Sequence, residues 1–492
     1  MNAVTDKAQA ALDVSRELGG TFRGDLLLPA DQRYETARRV WNASIDRHPA
    51  LIARCAGTGD VVSALRAARR HGLDVAVRGG GHSIAGLGVA DGAMTIDLSR
   101  MAAVRVDPDA RRATVQGGSL LSGLDRATQR HGLAVTSGFV SHTGVAGLTL
   151  GGGFGWTARK HGLACDNLRA AEVVLADGSV TVASDDHDSD LLWALRGGGG
   201  NFGIVTSFEF KLHPVGPMVT TGAGFYDIAD GRAVLEAFRE FAAEATDETT
   251  WVASVWDAEP GSPVPEGYLG KPVVSLVFVH IGDVEEGAAL GRRLRRAAPP
   301  LGDMAGPVPY LDVQTGNDAF WSHGVRRYWK SHYLWDLPDA AIDAFLGRGA
   351  ASAGGGAPVT GSLQTRGGAI ARIGEQDTAA GHRAAGFEFM AAASWTDPGE
   401  DDTRRTSTRL YADQMAPYGR GVYVNNLGIE GEDRVRDAYG AQKFERLTRL
   451  KARFDPDNVF HLNQNIRPAA ATVGHPTDEH ESRLGAAVTG PR

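Results

Sequence analysis

The sequence predicts an α+β protein of more than one domain. The first 215 residues alternate short apolar runs with helical patterns, the texture changes after Pro217, and 492 residues exceed what one ordinary core holds. In order, Asp60–Leu73 ("DVVSALRAARRHGL") reads as a helix, because Val61, Leu65 and Ala68 share a face and Gly72 supplies a stop. "DVAVRGG" follows as a short strand, and "AMTIDLSRM" and "ATVQGGSL" as two more. Leu120–Leu133 is a second helix, stopped by "HG". Arg169–Ser184 reads as a hairpin turning at "ADG". "DSDLLWALRG" is a helix capped by aspartate at its start and glycine at its end. Gly203–Pro214 is an alternating strand that ends at proline. These elements make residues 1–215 a first domain. Residues 216–415 form a second α+β domain, with Val273–Asp283 a strand, "VEEGAALGRRLRRAAP" a helix and "GFEFMAAASW" a strand. In residues 416–470, "VYVNNLG" reads as a strand and the stretch from Tyr439 as a long helix that stops at Pro456. Residues 471–492 are polar and punctuated by Gly and Pro, the pattern of a disordered tail.

Composition narrows the function. Hydrophobic residues make up 42% and charged ones 22%, with a net charge of -8. No concentrated basic surface is expected, so nucleic acid is excluded as a partner. The arginines of "RRLRRAAP" read as a solvated helix face. Two cysteines, Cys55 and Cys165, make no disulfide framework. No run approaches the roughly 18 apolar residues of a membrane span, and the N-terminus has no apolar signal core, so a cytoplasmic location is expected. Oligomeric state is not readable.

Glycine is the outlier, at 64 of 492 residues against a usual share of about 7%. The glycines bunch in "RGGGHSIAG" (Arg78–Gly86), "SGFVSHTGVAGLTLGGGFG" (Ser137–Gly155) and "RGGGGNFGIV" (Arg196–Val205). Each cluster can lay bare backbone N–H groups against an anion, which suits a diphosphate cofactor. Gly198, Gly200 and Gly203 match GxGxxG, but a helix precedes them and a strand follows, the reverse of a dinucleotide fold. His82 follows three glycines. It can contact phosphate, or act as a nucleophile through a neutral ring nitrogen, whereas no second ligand at metal spacing lies near it.

Taken together, residues 45–215 and Tyr418–Arg467 resemble the berberine-bridge-enzyme-like branch of the vanillyl-alcohol oxidase superfamily. The first stretch resembles the two-part PCMH-type FAD-binding domain, and "YVNNLGIEGEDRVRDAYGAQKFERLTRLKARFDPDNVFHLNQNI" resembles the C-terminal signature of that branch. The resemblance implies a substrate domain with an antiparallel sheet over the flavin. It implies FAD bonded at its 8α carbon to His82, with Arg78, Gly79, Gly80, Gly81, Ser83 and Gly86 cradling the pyrophosphate. Ser141, Gly144, Gly147 and Gly151 would run beneath the flavin. Gly203 and Val205 would flank the nucleotide, and Asn425, Asn463 and Asn465 would reach the ring. Many members carry a second link from a cysteine in "G-x-C-P-T-V-G". Val140 stands at that position, so the flavin is expected to be covalently bound through His82 only. Cys165 lies 25 residues further on and reads as a small buried side chain.

The resemblance implies oxidation of a small organic molecule, by hydride transfer to the flavin with O₂ as acceptor. C–OH oxidation, C–N oxidation and oxidative ring closure, as in secondary metabolism, all fit. Tyr423 matches the position of a tyrosine base or hydrogen-bond partner. In the second domain, Trp321, Tyr328 and Lys330 of "FWSHGVRRYWKSHYLW" are expected either to line a substrate pocket or to sit on an amphipathic helix. Gln364 and Glu388 lie in expected strands, where they can meet a polar substrate group. Two other readings fit the same residues: a dehydrogenase with an acceptor other than O₂, and a flavoprotein that sequesters a small toxic compound.

Overall fold

The computed structural model describes residues 2–348 and 357–470, so the expected tail 471–492 lies outside the described residues. Strands β1 (Asp25–Leu27), β2 (Leu51–Arg54), β3 (Val75–Arg78) and β4 (Met94–Asp97) form a sheet of order β1-β2-β4-β3, with β4 parallel to β2 and β3. The helix Thr58–Arg70 covers it and buries Val61, Ala64, Leu65 and Ala68 with Leu51, Val75 and Ile96. Each large side chain so buried contributes about 1.5–3 kcal/mol. Gly72, at φ +66, ends the helix as its sequence position requires.

A second, antiparallel sheet of order β5-β6-β10-β8-β9 uses β5 (Val104–Asp107), β6 (Arg112–Gln116), β8 (Leu168–Val174), β9 (Val180–Ser184) and β10 (Ile204–Lys211). The short β7 (Leu133–Ala134) pairs with β11 (His213–Pro214). The hairpin read at Arg169–Ser184 is β8 and β9. The helix read after Asp188 spans Ser189–Leu195, but aspartate does not cap it. Asp188 sits in the left-handed region at φ 49, and its carboxylate accepts from Thr181 Oγ1 instead.

The third sheet holds seven antiparallel strands in the order β15-β12-β14-β13-β17-β18-β16. They are β12 (Met218–Asp227), β13 (Thr249–Asp257), β14 (Pro272–His280), β15 (Gly302–Pro309), β16 (Arg326–Leu334), β17 (Thr360–Thr365) and β18 (Phe387–Trp395). One face is apolar: Trp251, Val255, Leu276, Leu363, Phe387 and Phe389 pack under the helices Gly231–Glu244, Asp339–Gly347 and Asp401–Met415. Successive side chains on a strand point to opposite faces, so the residues between these point the other way. That second face carries the substrate side of the site.

One expected element differs. "VYVNN" is a 3₁₀ turn at Val424–Asn426 and not a strand, because its amides bond locally, Asn426 N to Tyr423 O and Leu427 N to Val424 O. A helix not read from the sequence, Glu432–Tyr439, precedes Gly440 (φ +75), and the helix read from Tyr439 follows it as Ala441–Phe454. The second is anchored by Lys451, whose buried ammonium donates to Asp455 Oδ2, Asn201 O and Phe460 O at 2.6, 2.8 and 2.9 Å. All three of its donors are satisfied, as burial of a charge requires. No helix among the described residues is long and apolar enough to cross a membrane.

Candidate active site

The three glycine clusters and the open face of the third sheet meet around one cavity of about 950 Å³. Among the described residues, no amide from Gly79 to Ser83 has a protein acceptor, so five consecutive N–H groups are left for a ligand. Arg78 also lines the cavity, but its guanidinium is committed to Asp97 at 2.7 Å. Gly80 and Gly144 meet backbone to backbone: a Cβ on Gly80 would lie 2.4 Å from Gly144 N. A Cβ on Gly151 would lie 2.1 Å from Asn425 Oδ1, whereas one on Gly147 would meet nothing within 4 Å. Gly203 (φ +155) and Val205 close the third side, with the C-terminal segment docked on the adjoining Gly200 and Asn201. There Asn463 donates to Gly200 O at 3.1 Å, and Ile466 N donates to Asn201 Oδ1 at 3.0 Å.

A large anionic, flat cofactor fits these residues. The free amides suit a diphosphate, and the bare glycines permit close approach. Oδ1 of Asn463 and Oδ1 of Asn465 are buried with no protein partner. Val140 lies in the cavity wall. Three of the expected cofactor contacts do not line the cavity. Gly86 packs on Ile45, with Leu87 and Gly88 lining in its place. Ser141 is clasped by Asp318, which accepts from its N at 2.8 Å and its Oγ at 2.6 Å. Asn465 lies behind Asn463 and Gln464, the segment's two lining residues in "NQN".

His82 faces the cavity with Trp41 stacked on its ring at 4.1 Å and 16°. Burial, with His142 and His323 nearby, pushes it down to about 3, so the ring is neutral at pH 7. Asn42 ties this corner to β16 by donating to Ile84 O and Arg327 O. Arg327 lies over the rings of Trp41 and Trp321 at 4.6 and 5.3 Å.

On the sheet, Ser254 and Trp256 of β13, Ser275 of β14, Ser362 and Gln364 of β17 and Glu388 of β18 line the cavity. Gln364 and Glu388 are register partners, as are Ser254 with Ser275 and with Ser362. Glu388 is 2% exposed. Its Oε1 accepts from Asn426 Nδ2 at 2.6 Å and its Oε2 has no partner. Burial raises it to about 7, against the pull of the Arg366 guanidinium and of Asn426. The Tyr423 hydroxyl accepts from Gly153 N and Asn425 Nδ2, both at 2.9 Å. Burial and the Glu388 carboxyl push its ionisation well above the ordinary phenol range.

The aromatic stretch from Phe320 forms no helix beyond its loop; it becomes β16. Trp321 and Trp329 line the cavity. Tyr328 and Lys330 do not, because they fall on the other face of the strand. Arg409 Nε donates to the Tyr328 hydroxyl at 3.1 Å, and Lys330 pairs with Glu430 at 2.5 Å. Cys165 is buried beside Leu163, Ile370 and Ala380, as a small core side chain. Sequence reasoning missed Asn426, Trp41 and Arg366. Only the doubled asparagine of "VNN" offered any signal for the first.

Comparison with known proteins agrees with this geometry. A family described as FAD binding domain matches residues 49–184, and one described as berberine and berberine like matches residues 422–467. An uncharacterised FAD-linked oxidoreductase, YvdP, of Bacillus subtilis (strain 168) is 30% identical over 461 residues, covering 92% of this chain and 100% of that one. (R)-6-hydroxynicotine oxidase of Paenarthrobacter nicotinovorans is 29% identical over 468 residues, with 91% and 97% covered. The solved structure of glucooligosaccharide oxidase from Acremonium strictum, described with a 6-S-cysteinyl, 8α-N1-histidyl FAD, superposes with a TM-score of 0.81 at 23% identity, covering 94% and 100%. With a cradle for FAD, a domain pair of this architecture and a full-length relative at that identity, the chain belongs to the berberine-bridge-like FAD-linked oxidoreductases.

Proposed function

We propose that the chain is an oxidase of a small organic molecule, acting at a carbon that bears oxygen or nitrogen, with Glu388 taking the substrate proton. FAD held in the cleft and tethered through His82 alone supplies the hydride acceptor, and dioxygen takes the electrons onward. The observation that carries this reading is the Glu388 carboxyl: buried in the cavity wall, held at about 7, with one oxygen fixed by Asn426 and the other free. A base poised near the working pH is matched to proton removal. Gln364 beside it and the row Ser275, Ser254 and Ser362 across three strands can orient a polar substrate. Trp256, Trp321 and Trp329 supply flat apolar walls that exclude water. Tyr423 was expected to be the base or a hydrogen-bond partner. Burial and the Glu388 carboxyl hold its proton, outweighing the pull of the Gly153 and Asn425 N–H groups toward the phenolate, so it serves as a hydrogen-bond partner beside Glu388. Val140 supports the single tether, since valine forms no such bond. The named activities of the relatives, on 6-hydroxynicotine and on glucooligosaccharide, support a small-molecule oxidase.

The test is an anaerobic screen of secondary amines, sugars and alcohols for flavin bleaching, followed by H₂O₂ measurement in air. Many turnovers with stoichiometric H₂O₂ are expected. Bleaching without H₂O₂ points to a dehydrogenase, and turnover that stops at one equivalent points to sequestration.

A further inference from the structure

A line of imidazoles runs from the cavity wall outward. The ring centroids of His82 and His142 are 5.1 Å apart, those of His142 and His323 4.8 Å, and those of His82 and His323 6.5 Å. His82 lines the cavity, His142 and His323 do not, and His323 is exposed at the outer end. Both ring nitrogens of His142 are shut from solvent with no protein partner, as is Nε2 of His82. A buried imidazole without donor or acceptor is costly and calls for a task. Metal binding is not that task, since no group of His, Cys, Asp or Glu among the described residues is arranged to hold an ion. The backbone at His142 is held by Asp318, which clasps the preceding Ser141, and His323 lies in the loop that leads into β16.

We propose that His142, backed by His323, accepts the proton released when His82 becomes bonded to flavin. This rests on the His82 tether of the preceding reading. Attachment forms one bond, between a ring nitrogen of His82 and the flavin 8α carbon. It breaks the N–H bond of His82 and one C–H bond of the 8α methyl group. Two electrons pass to the flavin, and dioxygen takes them with both protons as H₂O₂. The proton of His82 must leave its ring, because burial and the neighbouring Arg327 guanidinium disfavour an imidazolium there. The charged and titratable groups acting on His82 are His142, His323 and Arg327, those acting on His323 are His142 and Arg327, and the Asp318 carboxylate holds the residue before His142. His142 is the nearest unpartnered base, and His323 carries the proton to solvent.

The test uses the full chain, produced flavin-free in riboflavin-starved cells and mixed with FAD in air at several pH values. Samples are denatured in acid at intervals and weighed by mass spectrometry for the FAD adduct. The native chain is expected to acquire it. His142→Asn is expected to retain FAD through gel filtration yet to form the adduct about 100-fold more slowly, the low end of general-base effects, and to recover on addition of imidazole. His323→Asn is expected to slow attachment less and to flatten its pH dependence. A native chain that never gains the adduct overturns the tether itself. Adduct formation at the native rate in His142→Asn overturns the role of His142 alone, and a native rate in His323→Asn removes His323 from the path. If His142→Asn holds no flavin, His142→Gln is read in the same way.

Discussion

Asn426 donates its side-chain amide to Glu388 at 2.6 Å, and this contact favours the ionised carboxylate that burial disfavours. The two effects leave the group at about 7, where a base is half available at neutral pH. The native kcat/KM is therefore expected to fall as pH drops below about 7, since only the ionised form accepts a proton. Glu388→Gln is expected to lose about 10²–10⁴-fold and to remove that limb. Asn426→Leu is expected to shift the limb upward by about one unit, because a hydrogen bond to a charged group is worth about 1.5–3 kcal/mol. Anaerobic stopped-flow flavin reduction across pH 5–9 measures both.

Tyr423→Phe removes the acceptor for Gly153 N and Asn425 Nδ2. Leaving such donors unpaired costs about 1–3 kcal/mol each. A lowered melting temperature is expected, with a smaller loss of rate than in Glu388→Gln. Comparing calorimetry with turnover separates the two residues; a larger rate loss in Tyr423→Phe would return the role of base to the tyrosine.

The face assignment along β16 makes a sharp contrast. Trp329→Ala is expected to raise KM at least several-fold, whereas Lys330→Ala and Tyr328→Phe are expected to leave it within about twofold. Both side chains point away from the cavity and make their contacts on the opposite face of the strand. Steady-state kinetics with any substrate found in the screen decides the matter.

Gly80 and Gly147 should behave differently. In Gly80→Ala the new Cβ meets backbone at 2.4 Å, which cannot yield, so poor folding and loss of flavin are expected. In Gly147→Ala the Cβ meets no protein atom within 4 Å, so the fold is expected to survive while flavin retention falls. Circular dichroism and the 450 nm absorbance after gel filtration distinguish the two outcomes.

Acidification is expected to destabilise the fold. Burial holds His161 at about 3 and His213 and His332 at about 4. Below their unfolded value near 6.5 the unfolded chain binds more protons, so stability falls as pH drops from 6.5 toward 4. Asp125 and Glu388, raised to about 6 and 7, act in the opposite sense but are fewer. Melting temperatures at pH 7.5 and 5 check the net sign.

Much of this was legible locally. The helix at Thr58–Arg70, the β8–β9 hairpin and the strands β10, β14 and β18 follow from periodicity and turn residues, which act within a few positions of the chain. The "VYVNN" turn was misread, because apolar spacing alone does not say whether a ladder partner exists.

The sequence by itself determined the three glycine clusters, the histidine that follows the first run of glycines, the valine at position 140 and the asparagines of the C-terminal segment. These are matters of residue identity and short spacing. Only the tertiary structure decided that Trp329 faces the cavity while Lys330 turns away, that Glu388 titrates near neutrality, and that His142 stands between His82 and His323. Each depends on strand register and burial, set by segments tens to hundreds of residues apart, and no local pattern carries that information.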